Sequence, residues 1–151
     1  LNITDPNMTR FNITLEEATE MVFWVLGNSY GGEIFVPKIP SYQITDLAEA
    51  IGPSCKKTII GVRSGEKIHE EMITAADSYN TFDLGEYYAI IHPTNDIKRN
   101  QYKEHFQSLN LKFDQMKIGS SYNSKENEPY LTVKQIRDLI KTNLSEKFKP
   151  I

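Results

Sequence analysis

The chain has 151 residues, of which 39% are hydrophobic and 25% are charged, so it is long enough to bury the core of one domain. Its 17 basic and 20 acidic residues give a formal net charge of −3, which argues against a nucleic-acid partner because no long basic stripe is present. No apolar run approaches the roughly 18 residues that a membrane span needs, so we expect no membrane partner.

The first predicted elements are an extended segment and a helix. Residues 1–13 have an extended pattern that includes a turn signal. A near capping box at residues 14–17 predicts the start of a helix, and apolar residues then recur at helical spacing. Phe23 and Trp24 widen the apolar face of this helix, so both side chains are predicted to lie in the core.

Strands and helices alternate in the next part of the chain. Residues 33–36 form a β-rich run that prolines close, and residues 45–51 predict a helix that begins with a threonine. The run at 57–62 predicts a second strand, and the pattern at 67–73 predicts a helix after it. This alternation is typical of an α/β fold with parallel strands and crossover helices.

The pattern weakens after residue 75. A strand is predicted at 87–91, a helix at 97–109 and an extended stretch at 111–118. Apolar residues at helical spacing predict a last helix at 132–144, and this is the clearest element in the second half of the chain.

Few side chains suggest catalysis or metal binding. Cys55 is the only cysteine, so neither an internal disulfide nor a two-cysteine metal site can form, and reducing cytoplasm is the expected compartment. His69, His92 and His105 are scattered without metal-ligand spacing, which favours surface or structural roles. The sequence therefore predicts binding chemistry, with no catalytic constellation and no metal.

The tract at residues 61–71 carries the strongest functional signal. Arg63 follows a β-branched run, Gly65 permits a tight turn, and Glu66 lies three residues after the arginine. An arginine fork suits a diphosphate and a carboxylate suits a vicinal diol, so the tract indicates a nucleotide site. An ordinary exposed turn fits the same short pattern equally well.

Several segments in a fixed order resemble one protein family. They are residues 8–11 with 13–17, 31–41, 45–48 and 61–71, joined by similar stretches at 122–124 and 130–131. Nearly the whole chain resembles the C-terminal half of an inverting UDP-N-acetylglucosamine 4,6-dehydratase, an extended short-chain dehydrogenase/reductase. The Val-Pro-Lys-Ile-Pro-Ser block at 36–41 is the most specific element and favours the inverting branch.

The resemblance implies a fold, a ligand and a cofactor. The implied fold is the α/β C-terminal portion of an extended Rossmann-type enzyme, with parallel strands plus a helical substrate-binding subdomain. Residues 1–151 would be its nucleotide-sugar-binding half, with UDP-N-acetylglucosamine as ligand, and NADP would be bound by an N-terminal half absent from this chain. The implied parent is a cytoplasmic homo-oligomer that makes a precursor of nonulosonic acids, such as pseudaminic acid, or of surface glycans.

Six residues take substrate-binding roles from the resemblance: Asp5, Arg10, Arg63, Ser64, Gly65 and Glu66. Arg10 and Arg63 are implied to grip the UDP diphosphate, and Glu66 is implied to accept hydrogen bonds from the uridine ribose. Asp5 lies where the family's chain passes the nucleotide, and Ser64 replaces the proline that is usual in the turn. Without the resemblance, Arg10 would be interpreted as a solvated arginine at a strand edge.

The implied reaction needs groups that lie outside this chain. In the resembled family, hydride leaves sugar C4 for NADP, a base removes the C5 proton, water leaves from C6 and hydride returns there. Since these groups belong to the N-terminal half, we expect no catalytic residue and no turnover in residues 1–151. Two alternatives stay open: a non-catalytic nucleotide-sugar-binding or scaffolding module, and a retaining dehydratase or 4-epimerase relative.

Overall fold

The computed structural model of the chain describes residues 1–92 and 95–151. The chain forms two units. Unit 1 consists of Leu1–Thr14, Ile39–Glu70 and Asn123–Ile151, and unit 2 consists of Leu15–Lys38 and Glu71–Tyr122.

Helices and strands follow one another in this order: β1 (Asn2–Ile3), β2 (Thr9–Phe11), α1 (Leu15–Asn28), β3 (Ile34–Pro37), β4 (Ser41–Gln43), α2 (Ile44–Ile51), β5 (Thr58–Ile59), β6 (Glu71–Ile73), a 3₁₀ helix (Asp77–Asn80), β7 (Thr81–Asp83), β8 (Tyr87–Ile90), α3 (Asp96–Ser108), β9 (Asp114–Gln115), β10 (Tyr122–Asn123) and α4 (Val133–Asn143). None of the helices in the described ranges combines the length and the apolar character needed to cross a membrane.

Unit 1 contains two short strand pairs and two packed helices. β1 runs parallel to β5, and β2 runs antiparallel to β4 with Arg10 opposite Tyr42. Helices α2 and α4 pack around a small core of Ala50, Leu131 and Ile136. Helix α4 begins with a capping box in which the side chains and backbones of Thr132 and Gln135 bond reciprocally, which fixes its first turn.

The parallel pair of unit 1 leaves apolar side chains in solvent. Ile59, Ile60 and Val62, in β5 and just after it, are all exposed. Parallel strands are normally covered on both faces, because their side chains form near-continuous apolar runs. The β1–β5 pair therefore exposes apolar side chains of the kind that a buried parallel strand normally carries.

Unit 2 is built on a four-stranded antiparallel sheet with the order β3-β8-β7-β9. Its core combines sheet and α3 residues: Phe82, Leu84, Ala89, Ile91, Tyr102 and Phe106. Phe82 stacks on Phe113 with ring centroids 4.2 Å apart, and Trp24 of α1 stacks on Tyr87 at 4.3 Å. Large aromatic side chains of this kind bury much apolar area in a small core.

The mixed α/β class predicted from the sequence is confirmed. Strands 87–91 and 33–36 and the two late helices are present within one or two residues of the predicted bounds. The pairing differs from the predicted parallel arrangement, because β2 lies antiparallel to β4 and the sheet that contains β3 is antiparallel throughout, whereas β1 and β5 are parallel. Helix α2 begins at Ile44, and its N-cap Gln43 makes no side-chain capping bond, so the predicted threonine start is wrong.

The helix predicted at 67–73 is also wrong. Residues 67–70 are irregular and Glu71–Ile73 is strand β6. The carbonyl oxygens of Lys67 and Ile68 accept hydrogen bonds from the Arg10 side chain, and Ile68 also accepts from the Thr9 backbone. A helix would need these same carbonyls for the N–H groups four residues later, so the long-range bonds replace it.

Phe23 is a further correction. Trp24 packs against the core of unit 2 as predicted, but the side chain of Phe23 is 69% exposed. Residues 23 and 24 differ by about 100° around a helix, so one cannot follow the other into the core. Helix α1 thus leaves the side that carries Trp24 half-buried and exposes an apolar stripe to solvent.

Candidate functional site

The loop after β5 contains the predicted nucleotide-binding residues. Gly61 and Gly65 have φ values of +84° and +81°, a left-handed conformation that favours glycine. The backbone N–H of Glu66 donates to the Arg63 carbonyl at 3.1 Å, and the Arg63 N–H donates to the Glu66 carboxylate at 3.3 Å. These two bonds close a tight turn that leaves the Arg63 side chain exposed to solvent.

Arg10 holds the end of this loop. Its Nη1 donates to the carbonyl oxygens of Thr9 at 2.7 Å and Ile68 at 3.2 Å, and its Nη2 donates to Lys67 at 3.0 Å. Two guanidinium N–H bonds, to Lys67 and Ile68, therefore tie β2 to the residues that directly follow Glu66. Whatever else Arg10 does, it fixes the position of the Arg63–Glu66 turn.

One carboxylate already neighbours Arg10. The Glu70 Oε1 lies 3.4 Å from the Arg10 Nε, with the arginine side chain 20% exposed and the glutamate side chain 43% exposed. An incoming phosphate on this edge of the guanidinium would take the place of the Glu70 carboxylate. A partly exposed pair of this kind contributes little to stability by itself.

Asp5 lies in the same unit, in the turn between β1 and β2. Its Oδ1 accepts a hydrogen bond from the Asn7 N–H at 2.7 Å, and its carbonyl accepts from the Met8 N–H at 3.2 Å. The carboxylate thus shapes its own turn in the manner of an Asx turn. All six predicted binding residues belong to unit 1.

A buried hydrogen-bond chain, which the sequence did not predict, supports this region. The Ser124 Oγ, which is fully buried, accepts from the Glu70 N–H at 2.9 Å and lies 2.7 Å from the Thr9 Oγ1. The Thr9 Oγ1 in turn lies 2.8 Å from the His69 Nδ1. Ser124 thereby links the C-terminal segment to β2 through Thr9 and to the Glu70 backbone, which follows the loop.

Two more side chains of the C-terminal segment make similar bonds. The Asn127 amide donates to the Ile39 carbonyl at 2.8 Å and to the Ser41 Oγ at 2.9 Å. The Tyr130 hydroxyl donates to the Ser124 carbonyl at 2.7 Å. Residues 124–130, of which the resemblance covers only the two ends, are therefore a structural brace for unit 1.

Replacing Ser124 with alanine is expected to lower the free energy of unfolding by about 1–3 kcal/mol, because the partly buried Glu70 N–H and the buried Thr9 hydroxyl lose a partner. Urea unfolding followed by circular dichroism measures the change. The matched control Ser145→Ala, at an exposed position of the same unit, should stay within about 0.5 kcal/mol of the parent. A Ser124→Ala variant as stable as that control would contradict the bracing role.

One Tyr-x-x-x-Lys spacing, Tyr130 with Lys134, occurs in the chain and was not recognised from the sequence. Tyr130 precedes α4, whose first residue is Val133, so the two side chains do not share a helix. The Tyr130 hydroxyl is bonded to the carbonyl oxygens of Ser124 and Lys125, and burial raises its pKa. A catalytic tyrosine needs its pKa lowered, so this pair is not a proton-transfer site.

Within residues 1–92 and 95–151, no group of three or more histidine, cysteine, aspartate or glutamate side chains is placed to hold a metal ion. Around the Arg63–Glu66 turn, unit 1 offers the arginine side chains together with the Glu66 and Glu70 carboxylates. Arginine side chains can bind anionic groups, and carboxylates can accept hydrogen bonds from hydroxyl groups.

Two kinds of enzyme are similar to the chain in sequence. An inverting UDP-N-acetylglucosamine 4,6-dehydratase of Campylobacter jejuni (subsp. jejuni serotype O:23/36, strain 81-176) is 41% identical over 140 residues, covering 93% of this chain and 42% of that protein. A UDP-glucose 4-epimerase of Rickettsia typhi is 32% identical over 146 residues, covering 94% of this chain and 41% of that protein. The chain thus spans about two fifths of the length of these relatives.

A solved structure and a family model also match the chain. The structure of Pen from Bacillus thuringiensis matches 96% of this chain and 40% of its own length, with a TM-score of 0.73 and 26% sequence identity. The model of the family described as polysaccharide biosynthesis protein matches residues 1–92, which include the Arg10 strand and the whole Arg63–Glu66 turn. Because that match covers more than half of the sequence, the chain belongs to the polysaccharide biosynthesis protein family.

Proposed function

We propose that this chain is the UDP-sugar-binding part of an inverting UDP-N-acetylglucosamine 4,6-dehydratase. The observation that carries the proposal is the Arg63–Glu66 turn, which is held by Arg10 in a chain 41% identical to an enzyme of that name. The turn offers an unpaired cation and a carboxylate three residues apart on one small loop. These are the two groups that a diphosphate and a ribose diol require.

Each predicted residue has a role in this proposal. Arg63 grips the diphosphate, while Ser64 and Gly65 form the turn that presents it. Glu66 exchanges its bond with the Arg63 N–H for the ribose hydroxyls. Arg10 positions the loop and also contacts a phosphate through the Nε edge of its guanidinium, which the Glu70 carboxylate neighbours in this structure. Asp5 shapes the turn that leads into β2.

We propose that NADP, which would supply hydride transfer, binds outside residues 1–151. In support, Tyr130 precedes the helix that contains Lys134 and its hydroxyl is bonded to a backbone carbonyl, so the two side chains do not form a proton-transfer pair. The complete enzyme is proposed to be a cytoplasmic homo-oligomer in nonulosonic acid, such as pseudaminic acid, or surface-glycan synthesis. The single cysteine of this chain is compatible with a reducing compartment.

A 4-epimerase is the second candidate, and the Rickettsia relatives named UDP-glucose 4-epimerase favour it. Both enzymes hold UDP, so the turn does not discriminate between them. The complete enzyme can be assayed with UDP-N-acetylglucosamine and NADP and its product analysed by NMR. A 4-keto-6-deoxy sugar inverted at C5 supports the dehydratase, whereas a C4 epimer supports the epimerase, and binding without turnover supports a non-catalytic module.

Substituting Glu66 with glutamine is expected to weaken UDP binding by about 1–2 kcal/mol, because the ribose loses a charged acceptor while one amide oxygen remains. In the complete enzyme, the rate at saturating UDP-sugar should change only a few fold and its pH profile should keep its shape. Calorimetry and steady-state kinetics separate the two effects. A collapse of the saturating rate with unchanged affinity would show that Glu66 moves a proton.

Residues 1–151 alone are expected to show no dehydratase turnover with NADP and UDP-N-acetylglucosamine, because the chain lacks the groups that transfer hydride and protons. The purified chain can be incubated with both compounds and the sugar followed by NMR. Appearance of the 4-keto-6-deoxy product would move the catalytic groups into this chain and overturn the division of roles.

A further inference from the structure

Unit 1 has a pocket on the side of the β2–β4 ladder away from Arg10. Neighbouring residues of a strand point to opposite faces, so Thr9 and its partner Gln43 lie on one face while Arg10 and its partner Tyr42 lie on the other. Thr9 and Gln43 line a pocket of about 450 Å³, completed by Asn7, His69, Lys125 and Tyr130. A volume of this size suits a small-molecule ligand.

The pocket lining carries a positive charge. Lys125 is the one charged side chain among the lining residues that the structure describes. None of the ion pairs between described residues involves Lys125, and the nearby Asp5 carboxylate acts on His69. The remaining polar lining consists of amide, hydroxyl and imidazole groups.

The hydrogen bonds around His69 fit one tautomer of its ring. The Ser124 Oγ accepts from the Glu70 N–H and lies 2.7 Å from the Thr9 Oγ1, which in turn lies 2.8 Å from the His69 Nδ1. When Ser124 donates to Thr9 and Thr9 donates to Nδ1, the proton of the neutral ring lies on Nε2, where His69 offers the pocket a donor.

Electrostatics act on the ring in the same direction. Burial lowers the pKa of His69, and the positive charges of Lys125 and Arg10 lower it further, while Asp5 opposes them. The lowered pKa favours the neutral ring at neutral pH.

We propose that this pocket binds a phosphate group of a small polar ligand through the Lys125 ammonium and the His69 Nε2–H, separately from the Arg63 turn. Lysine binds phosphate as a point charge, and neutral donors around it satisfy the remaining oxygens of a tetrahedral anion. The amide side chains of Asn7 and Gln43 stand at the same pocket to bond the rest of the ligand. The pocket is thus a second anion site, on the face of β2 opposite the proposed UDP site.

Inorganic phosphate is the probe, added at constant ionic strength with sodium chloride as the compensating salt. The ring signals of the three histidines are followed by NMR in the histidine-labelled chain, and each is titrated with pH. Phosphate is expected to shift the His69 signals saturably and to raise its pKa, because a bound anion stabilises the imidazolium. His92 and His105 serve as internal controls and should not change.

Variants distinguish the two sites. Lys125→Gln is expected to weaken phosphate binding at least about tenfold, since a charged hydrogen bond is lost, whereas the exposed lysine variant Lys134→Gln should bind as the parent does. Arg63→Ala should leave the phosphate-induced shift of the His69 signals unchanged, and saturating UDP should not reverse that shift. Equal shifts at all three histidines, an unchanged Lys125→Gln affinity, or displacement by UDP would each overturn the proposal.

Discussion

Residues 1–151 in solution are expected to self-associate, because helix α1 presents an apolar stripe to solvent. Leu15, Val22, Phe23 and Leu26 are 80%, 58%, 69% and 74% exposed, respectively. Helical geometry places these four side chains within roughly 100° of one another. Covering such a side chain completely is worth about 1.5–3 kcal/mol, so contact between stripes is favourable. Sedimentation velocity at several concentrations measures the association.

Charged substitutions test the origin of this association. The triple variant Val22→Lys, Phe23→Glu, Leu26→Lys is expected to weaken it by about 3 kcal/mol or more, which is at least about a hundredfold. The matched control, Glu16→Gln with Glu20→Gln, changes exposed polar positions of the same helix and should have little effect. A parent chain that remains monomeric at all concentrations, with a sharp two-state thermal transition, would contradict the expectation.

Replacing Arg63 with alanine is expected to weaken UDP binding by about 2–4 kcal/mol, or roughly 30- to 700-fold. The arginine is exposed and takes part in none of the ion pairs between described residues, so its fork is available to a diphosphate. In the complex, loss of this fork would leave desolvated phosphate oxygens without a partner. Calorimetry with UDP, in the α1 triple variant if the parent associates, measures the change.

Two further variants show whether the effect depends on the fork. Arg63→Lys should restore only part of the affinity, because an ammonium group cannot make two parallel bonds to a phosphate. Lys56→Ala removes an exposed cation from the same unit and should leave affinity within about twofold of the parent. Unchanged UDP affinity in Arg63→Ala would remove this residue from the site.

The elements that the sequence predicted well are those with strong local signals. Helix α4 has apolar residues at helical spacing and a capping box at Thr132 and Gln135, and both signals act within a few residues of each other. The turn at Arg63–Glu66 was predicted for the same reason, because Gly65 supplies the left-handed conformation that the turn needs. In both places, interactions between residues close in sequence are sufficient to predict the local structure.

The predictions that failed depend on partners distant in sequence. The segment 67–73 has a helical pattern, but Arg10 and Thr9 take the carbonyl oxygens of Lys67 and Ile68. Similarly, nothing near Phe23 in the sequence indicates that α1 buries the opposite side of the helix. Tertiary hydrogen bonds and packing override propensity in both cases.

Much of the candidate site was beyond sequence reasoning for the same cause. Thr9 meets His69 and Ser124, which lie 60 and 115 residues away, and no spacing rule relates these positions. The Tyr130–Lys134 spacing is the opposite case, because the sequence pattern is typical of catalysis but Tyr130 lies outside the helix that contains Lys134. Only the three-dimensional structure shows that Thr9, His69 and Ser124 are in contact and that Tyr130 and Lys134 do not share a helix.

Backbone amide NMR of the chain titrated with UDP shows whether the Arg63–Glu66 turn holds a UDP group. We predict saturable shifts concentrated at residues 63–66 and at Arg10, with uridine binding far more weakly because it lacks the diphosphate. Absence of binding, or saturable binding whose shifts leave residues 63–66 unchanged, would contradict the claim.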